Sequence, residues 1–302
     1  MPVPNKNKKL ITIPRGKDLL IKNINDFNLD NIFDCGQAFR FNKINNNTWQ
    51  GVAFSKVLKV AQNGKSILFY DTTENEFETI WVDYFDLGTN YTEYKKVLCA
   101  DTVMRKGINY SPGIRILKQD KWETLCSFII SQNNNIPRIK SIIDKFCMLF
   151  GKRIHCFDDI EYFDFPTPSI VANLTEEDLA PIKAGFRAKY IIDCAKKVVS
   201  GQVDFDFIDK SNKEIAREHL KQIVGVGTKV ADCTLLFGFG KIDVFPVDTW
   251  INKAMEALYP NGLNNEFLPI AGIAQQYLFN YVRNCEGILE LKDENEPESE
   301  EQ

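Results

Sequence analysis

Hydrophobic and polar residues alternate with a period of two in several short runs near the start of the chain. Residues 57–62 and 65–70 have this pattern, and the Asn-Gly pair at 63–64 between them is the pair that a tight hairpin turn prefers. Residues 48–53 form another run that is typical of a strand, and residues 76–85 favour some helix. The first 115 or so residues are therefore predicted to be β-rich, with the strands arranged as an antiparallel meander.

From about residue 120, the apolar positions recur every three or four residues, which is the period of an amphipathic helix. The clearest stripe consists of Ile136, Ile139, Ile142, Ile143, Phe146, Leu149 and Phe150. Other helices are predicted over residues 122–130, 188–200, 249–258 and 270–283. Ser211 and Glu214 have the spacing of a capping box, which predicts a helix from there to Val224, and Asp248 is suited to cap the helix that follows it.

The order of these elements predicts the fold class. Because β-rich residues come first and helices follow without alternation, the pattern argues against a doubly wound α/β fold and favours an α+β fold. We predict an N-terminal antiparallel β-sheet domain over residues 1–118, of which residues 1–9 are expected to be disordered. An α-helical domain is predicted over residues 119–290, with a helix-hairpin-helix at about 211–240, followed by an acidic disordered tail at 291–302.

Composition excludes several classes of protein. The chain has 302 residues, of which 44% are hydrophobic and 26% are charged, so it is neither fibrous nor wholly disordered. It contains no apolar run of the roughly 18–20 residues that a membrane-spanning helix needs. No apolar signal segment of roughly 7–15 residues follows Met1. We therefore expect a cytoplasmic protein that does not bind a membrane.

The net charge of −4 is concentrated at the C-terminus. The last twelve residues carry six acidic side chains and one lysine, a charge of −5, so the rest of the chain carries +1. A nearly neutral body neither indicates nor excludes binding to nucleic acid, because a few placed phosphate contacts need no bulk positive charge.

Cysteine spacing gives no sign of a metal site. The eight cysteines include no Cys-x-x-Cys pair, and the two histidines, His155 and His219, lie far from any paired ligand in the sequence. Scattered cysteines on apolar segments are typical of small buried side chains in a reducing compartment. We predict no metal and no cofactor.

The most informative stretch is residues 220–233, where a predicted helix ends at Val-Gly-Val-Gly and another helix begins. Gly225 and Gly227 permit a tight backbone turn because glycine tolerates positive φ. They also leave amides at the start of the next helix pointing outward, which makes an anion site suited to a DNA phosphate. The following turn carries Lys229, and Ala231 allows close packing of the helices.

Other interpretations of this stretch are possible. The Gly-x-Gly pair fits part of the dinucleotide-binding fingerprint, but a helix precedes it where a strand is needed, and the third glycine is missing. The phosphate-binding loop of nucleotide triphosphatases needs a Gly-x-x-x-x-Gly-Lys pattern that this stretch lacks. A plain glycine-rich turn between two helices, with Lys229 exposed, stays open at this point.

Asp248 adds a carboxylate at the predicted start of a later helix. A lysine amine acts as a nucleophile when its pKa is lowered or when another group handles its protons. A carboxylate also stabilises positive charge that develops on a sugar. Lys229 and Asp248 are therefore candidate catalytic residues, and the alternative for Asp248 is that it only caps its helix.

Three separated motifs resemble those of the helix-hairpin-helix DNA glycosylases and, more narrowly, of the 8-oxoguanine DNA glycosylase/AP lyase family. They are Cys-Gly-Gln-Ala-Phe-Arg at 35–40, Ser-Gln-Asn-Asn-Asn-Ile-Pro-Arg at 131–138, and Gly-Val-Gly-Thr-Lys-Val-Ala-Asp-Cys at 225–233, followed by Pro-Val-Asp at 246–248. The resemblance extends from about residue 30 to residue 283. It implies a β-sheet domain followed by a helical glycosylase domain, in agreement with the predicted order of elements.

The resemblance implies a bifunctional DNA repair enzyme that acts on a base flipped out of the duplex. Lys229 would attack C1′ of the damaged nucleotide, expel 8-oxoguanine and form a Schiff base, and β-elimination would then nick the strand. Asp248 would stabilise the charge that develops at the sugar. The expected partner is double-stranded DNA with 8-oxoguanine opposite cytosine, and the protein is expected to act as a monomer.

Four residues match those that the family uses for the damaged base. Gly36 matches the glycine whose carbonyl accepts the N7–H of 8-oxoguanine, a hydrogen that normal guanine lacks. Phe279 and Gln275 match residues that stack on the base and bind its pairing edge, and their spacing of four places them on one helix face. Cys233 matches a cysteine on the other face of the base. Without the resemblance, Phe279 would be interpreted as a core residue.

The same match assigns the base opposite the lesion to Asn133, Arg138 and Arg187, whose donors and acceptors suit an unpaired cytosine. Phe186 matches a tyrosine that inserts into the gap left by the flipped base, where any apolar face can serve. The contacts to DNA phosphates are assigned to Gly225, Gly227, Val230 and Trp250.

The chain departs from the family pattern at two positions. Trp250 stands where many members have a phosphate-binding histidine, and Cys35 stands where a serine is common. The cysteine cluster of endonuclease III-type glycosylases is also missing, because only Cys285 follows Cys233. Two alternatives stay open: a glycosylase of this fold that prefers another lesion, and a non-catalytic DNA-binding module that uses the hairpin only to hold phosphate.

Overall fold

The fold consists of an N-terminal antiparallel sheet followed by a larger helical part, as the order of elements predicts. A computed structural model of the protein describes residues 10–157, 160–285 and 287–288. The terminal segments that were predicted to be disordered, residues 1–9 and 291–302, lie outside the described residues.

Within the described residues, the N-terminal sheet has six strands. They are β1 (Ile11–Arg15), β2 (Asp18–Lys22), β3 (Phe41–Asn45), β4 (Thr48–Ala53), β5 (Lys56–Asn63) and β6 (Ser66–Phe69). Strands β3 to β6 form the predicted meander, and β4 pairs with β5 from Thr48 opposite Ala61 to Ala53 opposite Lys56. Strands β1, β2 and β3 were not predicted, and the β1–β2 hairpin extends the sheet because β2 pairs with β6.

An aromatic core lies between this sheet and the short helices that accompany it. These helices are α1 (Leu29–Phe33), α2 (Glu74–Glu76) and α3 (Val82–Tyr84), with a π-helical turn over Phe77–Trp81 between the last two. The rings of Phe33 and Phe41 stack with their centroids 4.2 Å apart, and Trp81 and Phe85 are fully buried in the same cluster. Burial of such large apolar rings provides most of the stabilisation of this part.

The helical part contains the longer helices. They are α4 (Tyr91–Leu98), α5 (Thr102–Tyr110), α6 (Lys121–Ser131), α7 (Ile136–Phe150), α8 (Pro168–Val171), α9 (Glu176–Leu179), α10 (Arg187–Val199), α11 (Phe205–Lys210), α12 (Lys213–Leu220), α13 (Thr228–Phe239), α14 (Thr249–Leu258) and α15 (Ala271–Asn284). A hairpin of β7 (Arg153–Phe157) and β8 (Ile160–Phe163), which the sequence analysis missed, lies between α7 and α8. In the described part of the chain, none of the helices is long and apolar enough to cross a membrane.

Helices α4 and α5 precede residue 118 but pack into the core of the helical part. Leu98, Met104 and Ile108 are buried in the same cluster as the apolar faces of α6, α7 and α13. Tertiary packing therefore joins the end of the β-rich segment to the helices, which no local pattern indicated. The domain boundary predicted after residue 118 stays a prediction.

Two details of the helix predictions were wrong. The predicted capping box does not form, because the hydroxyl of Ser211 donates to the carbonyl of Phe207 at the end of α11, 2.7 Å away. Asn212 caps α12 instead by accepting a hydrogen bond from the amide of Ile215, and α12 ends at Leu220 rather than Val224. In α7, Leu149 is 46% exposed, since the last turn of the helix passes beyond the core.

A buried ion pair connects the N-terminal part to the helices. Nη1 of Arg40, which precedes β3, lies 3.2 Å from Oε2 of Glu123 in α6, and Nη2 of Arg40 donates to the carbonyl of Phe163 in β8. Burial raises the pKa of Glu123 from 4.5 to about 6, although the Arg40 charge opposes this shift. The folded protein therefore holds a proton on Glu123 more tightly than the unfolded chain does.

This raised pKa predicts a dependence of stability on pH. The contribution of Glu123 to the free energy of unfolding should be full below pH 4.5 and should fall by roughly 2 kcal/mol as the pH rises through 6. Glutamine does not ionise, so between pH 4.5 and 7.5 the free energy of unfolding of Glu123→Gln should fall by roughly 2 kcal/mol less than that of the wild type. Urea denaturation at several pH values between 4 and 7.5 measures it.

The matched control is Glu161→Gln, because Glu161 pairs with Arg153 on the surface and is 52% exposed. This variant should keep the pH dependence of the wild-type protein. Equal slopes for the wild type and Glu123→Gln would show that the pKa of Glu123 is not raised in the folded state.

Candidate active site

The hairpin between α12 and α13 has the geometry that its two glycines predict. Gly225 has a φ of +80°, and a Cβ at this position would overlap the ring of Tyr190 in α10. Gly227 precedes α13 without a side-chain cap, and a Cβ there would meet open space. The first amides of α13, up to that of Val230, have no partner within the helix, so this end suits an anion such as a phosphate.

Helix α10 holds this hairpin in position. Oδ2 of Asp193 accepts hydrogen bonds from the amide of Val224 (2.7 Å) and from Nζ of Lys197 (2.8 Å). Nζ of Lys197 also donates to the carbonyl of Gln222, 2.6 Å away. The sequence analysis missed this support, because an Asp and a Lys four residues apart on a helix are usually a surface pair.

Lys229 lies in the first turn of α13 and is partly buried. Its Nζ donates a hydrogen bond to Oγ of Ser131 at the end of α6, 3.2 Å away, and lies 5.2 Å from the centroid of the Phe128 ring. These two contacts fix the orientation of the Lys229 side chain. Ser131 belongs to a motif that carried the resemblance, but the sequence analysis gave it no role.

Lys229 and Asp248 both lie close enough to Cys233 for their charges to act on its thiol. Burial raises the pKa of Cys233 to about 11, the Lys229 ammonium opposes this shift, and the Asp248 carboxylate adds to it. Cys233 is therefore a neutral thiol at pH 7. Oδ1 of Asp248 caps α14 by accepting from the amide of Ile251 at 2.8 Å, which uses one of its two carboxylate oxygens. Capping and a second role are compatible.

Gly36 lies at close contact with α15. It has a φ of +78°, and a Cβ there would lie 3.3 Å from Cε1 of Phe279, 3.5 Å from Nη1 of Arg283 and 3.6 Å from Cδ1 of Ile136. Both the backbone conformation and the space favour glycine. The structure thus brings together Gly36 and Phe279, which lie far apart in the sequence.

Two glutamines fix the loop around Gly36. Gln37 is fully buried; its Nε2 donates to the carbonyl of Arg115 at 2.8 Å, and its Oε1 accepts from the amide of Leu117 at 2.8 Å. Nε2 of Gln276 donates to the carbonyl of Cys35, 2.6 Å away. The sequence analysis missed both roles, and the adjacent Gln275 and Gln276 could not be distinguished by pattern.

The side chains of Gln275 and Phe279 differ in their surroundings. Phe279 is only partly buried, so it is not simply a core residue. Gln275 is 6% exposed, and its Oε1 is buried without a hydrogen-bond partner. A buried acceptor without a partner is costly and marks a position where a ligand can supply a donor.

The segment of residues 131–136, which we call the connecting segment, links the Lys229 amine to the Gly36 loop. At its start Ser131 binds Nζ of Lys229, and at its end the side chain of Ile136 reaches Gly36. The five Cα–Cα steps from residue 131 to residue 136 span at most roughly 18 Å, so the Cα atoms at the two ends of the segment can be no further apart than this. The connecting segment therefore contacts both the Lys229 amine and the Gly36 loop.

Arg187 is a buried residue that positions the connecting segment. Its Nε donates to the carbonyl of Gln132 at 2.7 Å, as does its Nη2, which also donates to the carbonyl of Asn133 at 2.9 Å. Its Nη1 donates to the carbonyl of Ala184 at 3.0 Å, and the residue is 3% exposed. Burial and the nearby Arg138 charge lower the pKa of Arg187. Contact of Arg187 with an opposite base stays a prediction.

The remaining residues of the predicted DNA surface are exposed. Asn133 and Arg138 are exposed, and Phe186 is 48% exposed with its ring centroid 5.8 Å from that of Tyr190. Trp250, at the start of α14, is 41% exposed, and Nζ of Lys253 lies 5.9 Å from the centroid of its ring. Lys253 therefore places a positive charge beside the residue that replaces the histidine of the family pattern.

Metal chemistry finds no support in the described part of the chain. Over those residues, no group of three or more histidine, cysteine, aspartate or glutamate side chains is arranged to hold a metal ion.

Family models match most of the chain. Residues 19–125 match the N-terminal domain of 8-oxoguanine DNA glycosylase, and residues 126–266 match the HhH-GPD superfamily of base excision DNA repair proteins. The N-glycosylase/DNA lyase of Saccharomyces cerevisiae is 31% identical over 274 residues, which cover 80% of this chain and 70% of the yeast protein.

Solved structures agree with this match. The 8-oxoguanine glycosylase/lyase of Clostridium acetobutylicum, in complex with double-stranded DNA containing cytosine opposite 8-oxoguanine, is 38% identical with a TM-score of 0.85, and the match covers 91% of this chain and 98% of that one. Its apo form is 39% identical with a TM-score of 0.85, over 91% of this chain and 99% of that one. Together with the two family models and the yeast relative, these similarities show that the chain belongs to the 8-oxoguanine DNA glycosylase family of the HhH-GPD superfamily.

Proposed function

We propose that this protein excises 8-oxoguanine from duplex DNA and then cleaves the strand at the abasic site, with Lys229 as the nucleophile. The observation that carries the proposal is the position of the Lys229 amine. It lies beside Cys233, on whose thiol the Asp248 carboxylate also acts, at one end of the connecting segment, whose other end packs on Gly36. A DNA-binding module that only held phosphate would need the hairpin amides but not a placed amine and carboxylate.

The nucleophile is the nitrogen of Lys229, which must carry a free lone pair to attack. Its lone pair forms a bond to C1′ while the bond from C1′ to N9 breaks and leaves its electron pair on the base. Loss of a proton and opening of the sugar ring give an imine, which makes the 2′ hydrogen acidic and permits β-elimination of the 3′ phosphate. The Asp248 carboxylate stabilises the positive charge that develops on the sugar before the new bond is complete.

Recognition of the base uses groups that the protein leaves without partners. Oε1 of Gln275 is a buried acceptor for an N–H on the pairing edge of guanine. The carbonyl of Gly36 accepts the N7–H of 8-oxoguanine, whereas normal guanine would present a lone pair to it. The partly buried ring of Phe279 supplies a face for stacking.

The exposed residues beside the hairpin form the DNA surface of the proposal. Phe186 inserts where the base has left the stack, and Asn133 and Arg138 bind an opposite cytosine. The amides of Gly225, Gly227 and Val230 bind a phosphate. We propose that a monomer carries out the reaction, because every group named here comes from one chain; the cytoplasmic location stays a prediction.

The nucleophile is tested by replacing Lys229 with glutamine. Borohydride should trap the wild-type protein on a duplex with 8-oxoguanine opposite cytosine but not on one with guanine. Lys229→Gln should give no adduct and no strand cleavage, because an amide nitrogen cannot form the imine. Its binding to the same duplex, measured by fluorescence anisotropy, should persist.

Lys106→Gln is the matched control, because Lys106 is an exposed lysine of α5 that belongs to none of the three motifs. It should form the adduct as the wild type does. An adduct with an abasic duplex but not with the 8-oxoguanine duplex would assign the protein to another lesion. No adduct with either duplex would contradict the amine mechanism and favour a non-catalytic DNA-binding module.

Gly36→Ala tests recognition of the base. A Cβ at this position would press on Phe279, and the backbone conformation is unfavourable for alanine, so excision of 8-oxoguanine should fall at least roughly tenfold. Cleavage of an abasic duplex needs no base and should be affected much less. The control is Gly201→Ala, which introduces a similar backbone strain at a φ of +76° but places its Cβ in open space. A loss of excision that occurs only in Gly36→Ala is therefore due to the contact at Gly36 and not to backbone strain alone. Equal losses of 8-oxoguanine excision in both variants would show that Gly36 is not part of the base pocket.

Arg138→Ala tests the preference for cytosine opposite the lesion. Because Arg138 is exposed, its removal should leave the fold intact. The ratio of single-turnover excision rates opposite cytosine and opposite adenine should fall by roughly tenfold, as for loss of one base-reading arginine. Arg105→Ala, at an exposed arginine of α5, serves as the control. An unchanged ratio would show that Arg138 does not read the opposite base.

A further inference from the structure

Arg283 places a donor without a partner beside the Gly36 loop. Its Nη1 lies 3.5 Å from the position that a Cβ of Gly36 would take, and this atom is buried with no hydrogen-bond partner. The described residues form no ion pair with Arg283. A buried guanidinium nitrogen that has lost its hydrogen bonds to water without forming new ones is energetically costly. A ligand that brings a hydrogen-bond acceptor to this position would remove that cost.

The charge of Arg283 is directed at the same loop. Burial raises the pKa of the Cys35 thiol to about 12, although the Arg283 charge opposes this shift. The thiol is therefore neutral at pH 7 and supplies no negative charge to balance the guanidinium. The Arg283 Cζ lies 5.6 Å from the centroid of the Phe279 ring. The cation therefore adjoins both the carbonyl-bearing loop and the stacking ring of the site.

We propose that Arg283 is a further residue for the damaged base: it donates a hydrogen bond to a carbonyl oxygen of 8-oxoguanine and stabilises the negative charge on the departing base. This inference rests on the proposed function. In 8-oxoguanine, the carbonyl oxygens on C8 and C6 lie on either side of the N7–H. Nη1 of Arg283 lies beside Gly36, whose carbonyl accepts N7–H in the proposed function, so it is placed to donate to one of these oxygens.

The electron balance of excision explains why a cation is useful there. The Lys229 nitrogen bonds to C1′, the bond from C1′ to N9 breaks, and the electron pair spreads from N9 over the base to its carbonyl oxygens. The proton released by the attacking nitrogen ends on the base, so the products are the amine-linked sugar and neutral 8-oxoguanine. A guanidinium at a carbonyl oxygen binds most strongly when that oxygen carries the charge, which lowers the barrier.

A different role for Arg283 would be to hold the Phe279 ring through their contact. The two roles differ in what a variant loses. Arg283→Met keeps an unbranched side chain for packing but removes the charge, whereas Arg283→Lys keeps a charge without the planar donor array. A role in holding the ring would affect binding of the lesion, whereas a role in stabilising charge would affect the rate of excision after binding.

The experiment compares these variants on duplexes with 8-oxoguanine opposite cytosine. Single-turnover excision by Arg283→Met should be slower than in the wild type by roughly 10- to 100-fold, in the range for loss of one donor to a developing anion. Its dissociation constant for a duplex with uncleavable 2′-fluoro-8-oxodeoxyguanosine should rise by less than the rate falls. Arg283→Lys should recover part of the rate. The control Arg153→Met removes an exposed arginine from β7 and should excise like the wild type.

The outcomes separate this inference from the proposed function. If the wild-type protein does not excise 8-oxoguanine, the proposed function fails, whatever the variants do. If the wild type excises and Arg283→Met excises at the same rate, the role of Arg283 is wrong while the proposed function stands. The same holds if rate and affinity fall equally and Arg283→Lys recovers nothing, because Arg283 would then only hold Phe279. Borohydride trapping of Arg283→Met on an abasic duplex verifies that its Lys229 is intact.

Discussion

The site depends on the hydrogen bonds from the buried guanidinium of Arg187 to the connecting segment. A buried positive charge is tolerated only when acceptors surround it, and here the acceptors are the carbonyls of Gln132, Asn133 and Ala184. Because the segment cannot move without leaving that charge unpaired, Ser131 is held against Lys229 at one end and Ile136 against Gly36 at the other. One interaction thus fixes the relative position of the amine and the base pocket.

A second set of contacts connects helix α10, which carries Arg187, to the proposed DNA surface. Tyr190 lies on the same helix as Arg187; its ring packs under Gly225 of the hairpin and contacts the exposed ring of Phe186. Asp193, one turn further, binds the hairpin backbone at Val224. Helix α10 therefore positions the hairpin and the exposed ring of Phe186 together. The distance between the phosphate and the flipped base is a property of the DNA, so a rigid connection between their binding groups favours one productive arrangement.

The sequence predicted what local periodicity and turn chemistry determine. The α+β order, strands β4 to β6, and the helix after Asp248 all follow from patterns within about fifteen residues. Motifs also identified Gly36, Lys229 and Asp248 as a group, but only through resemblance, since nothing in their spacing brings them together. The β1–β2 hairpin and the packing of α4 and α5 were missed because pairing with β6 and burial in the helical core are tertiary effects. The hydrogen bonds of Arg187 to backbone carbonyls were not predicted, because an arginine in that role has no local signature.

The base pocket gains its selectivity from polar groups rather than from shape alone. The protein leaves Gln275 Oε1 and Arg283 Nη1 buried without partners, and Arg283 Nη1 lies beside Gly36. An apolar pocket distinguishes ligands that differ by one small group only weakly, whereas a ligand that leaves buried polar groups unpaired loses their full desolvation energy. Guanine and 8-oxoguanine differ by one oxygen and one hydrogen. In the proposed function, the Gly36 carbonyl pairs with the N7–H of 8-oxoguanine and meets a lone pair on guanine, so this one contact rejects an undamaged base of almost the same size.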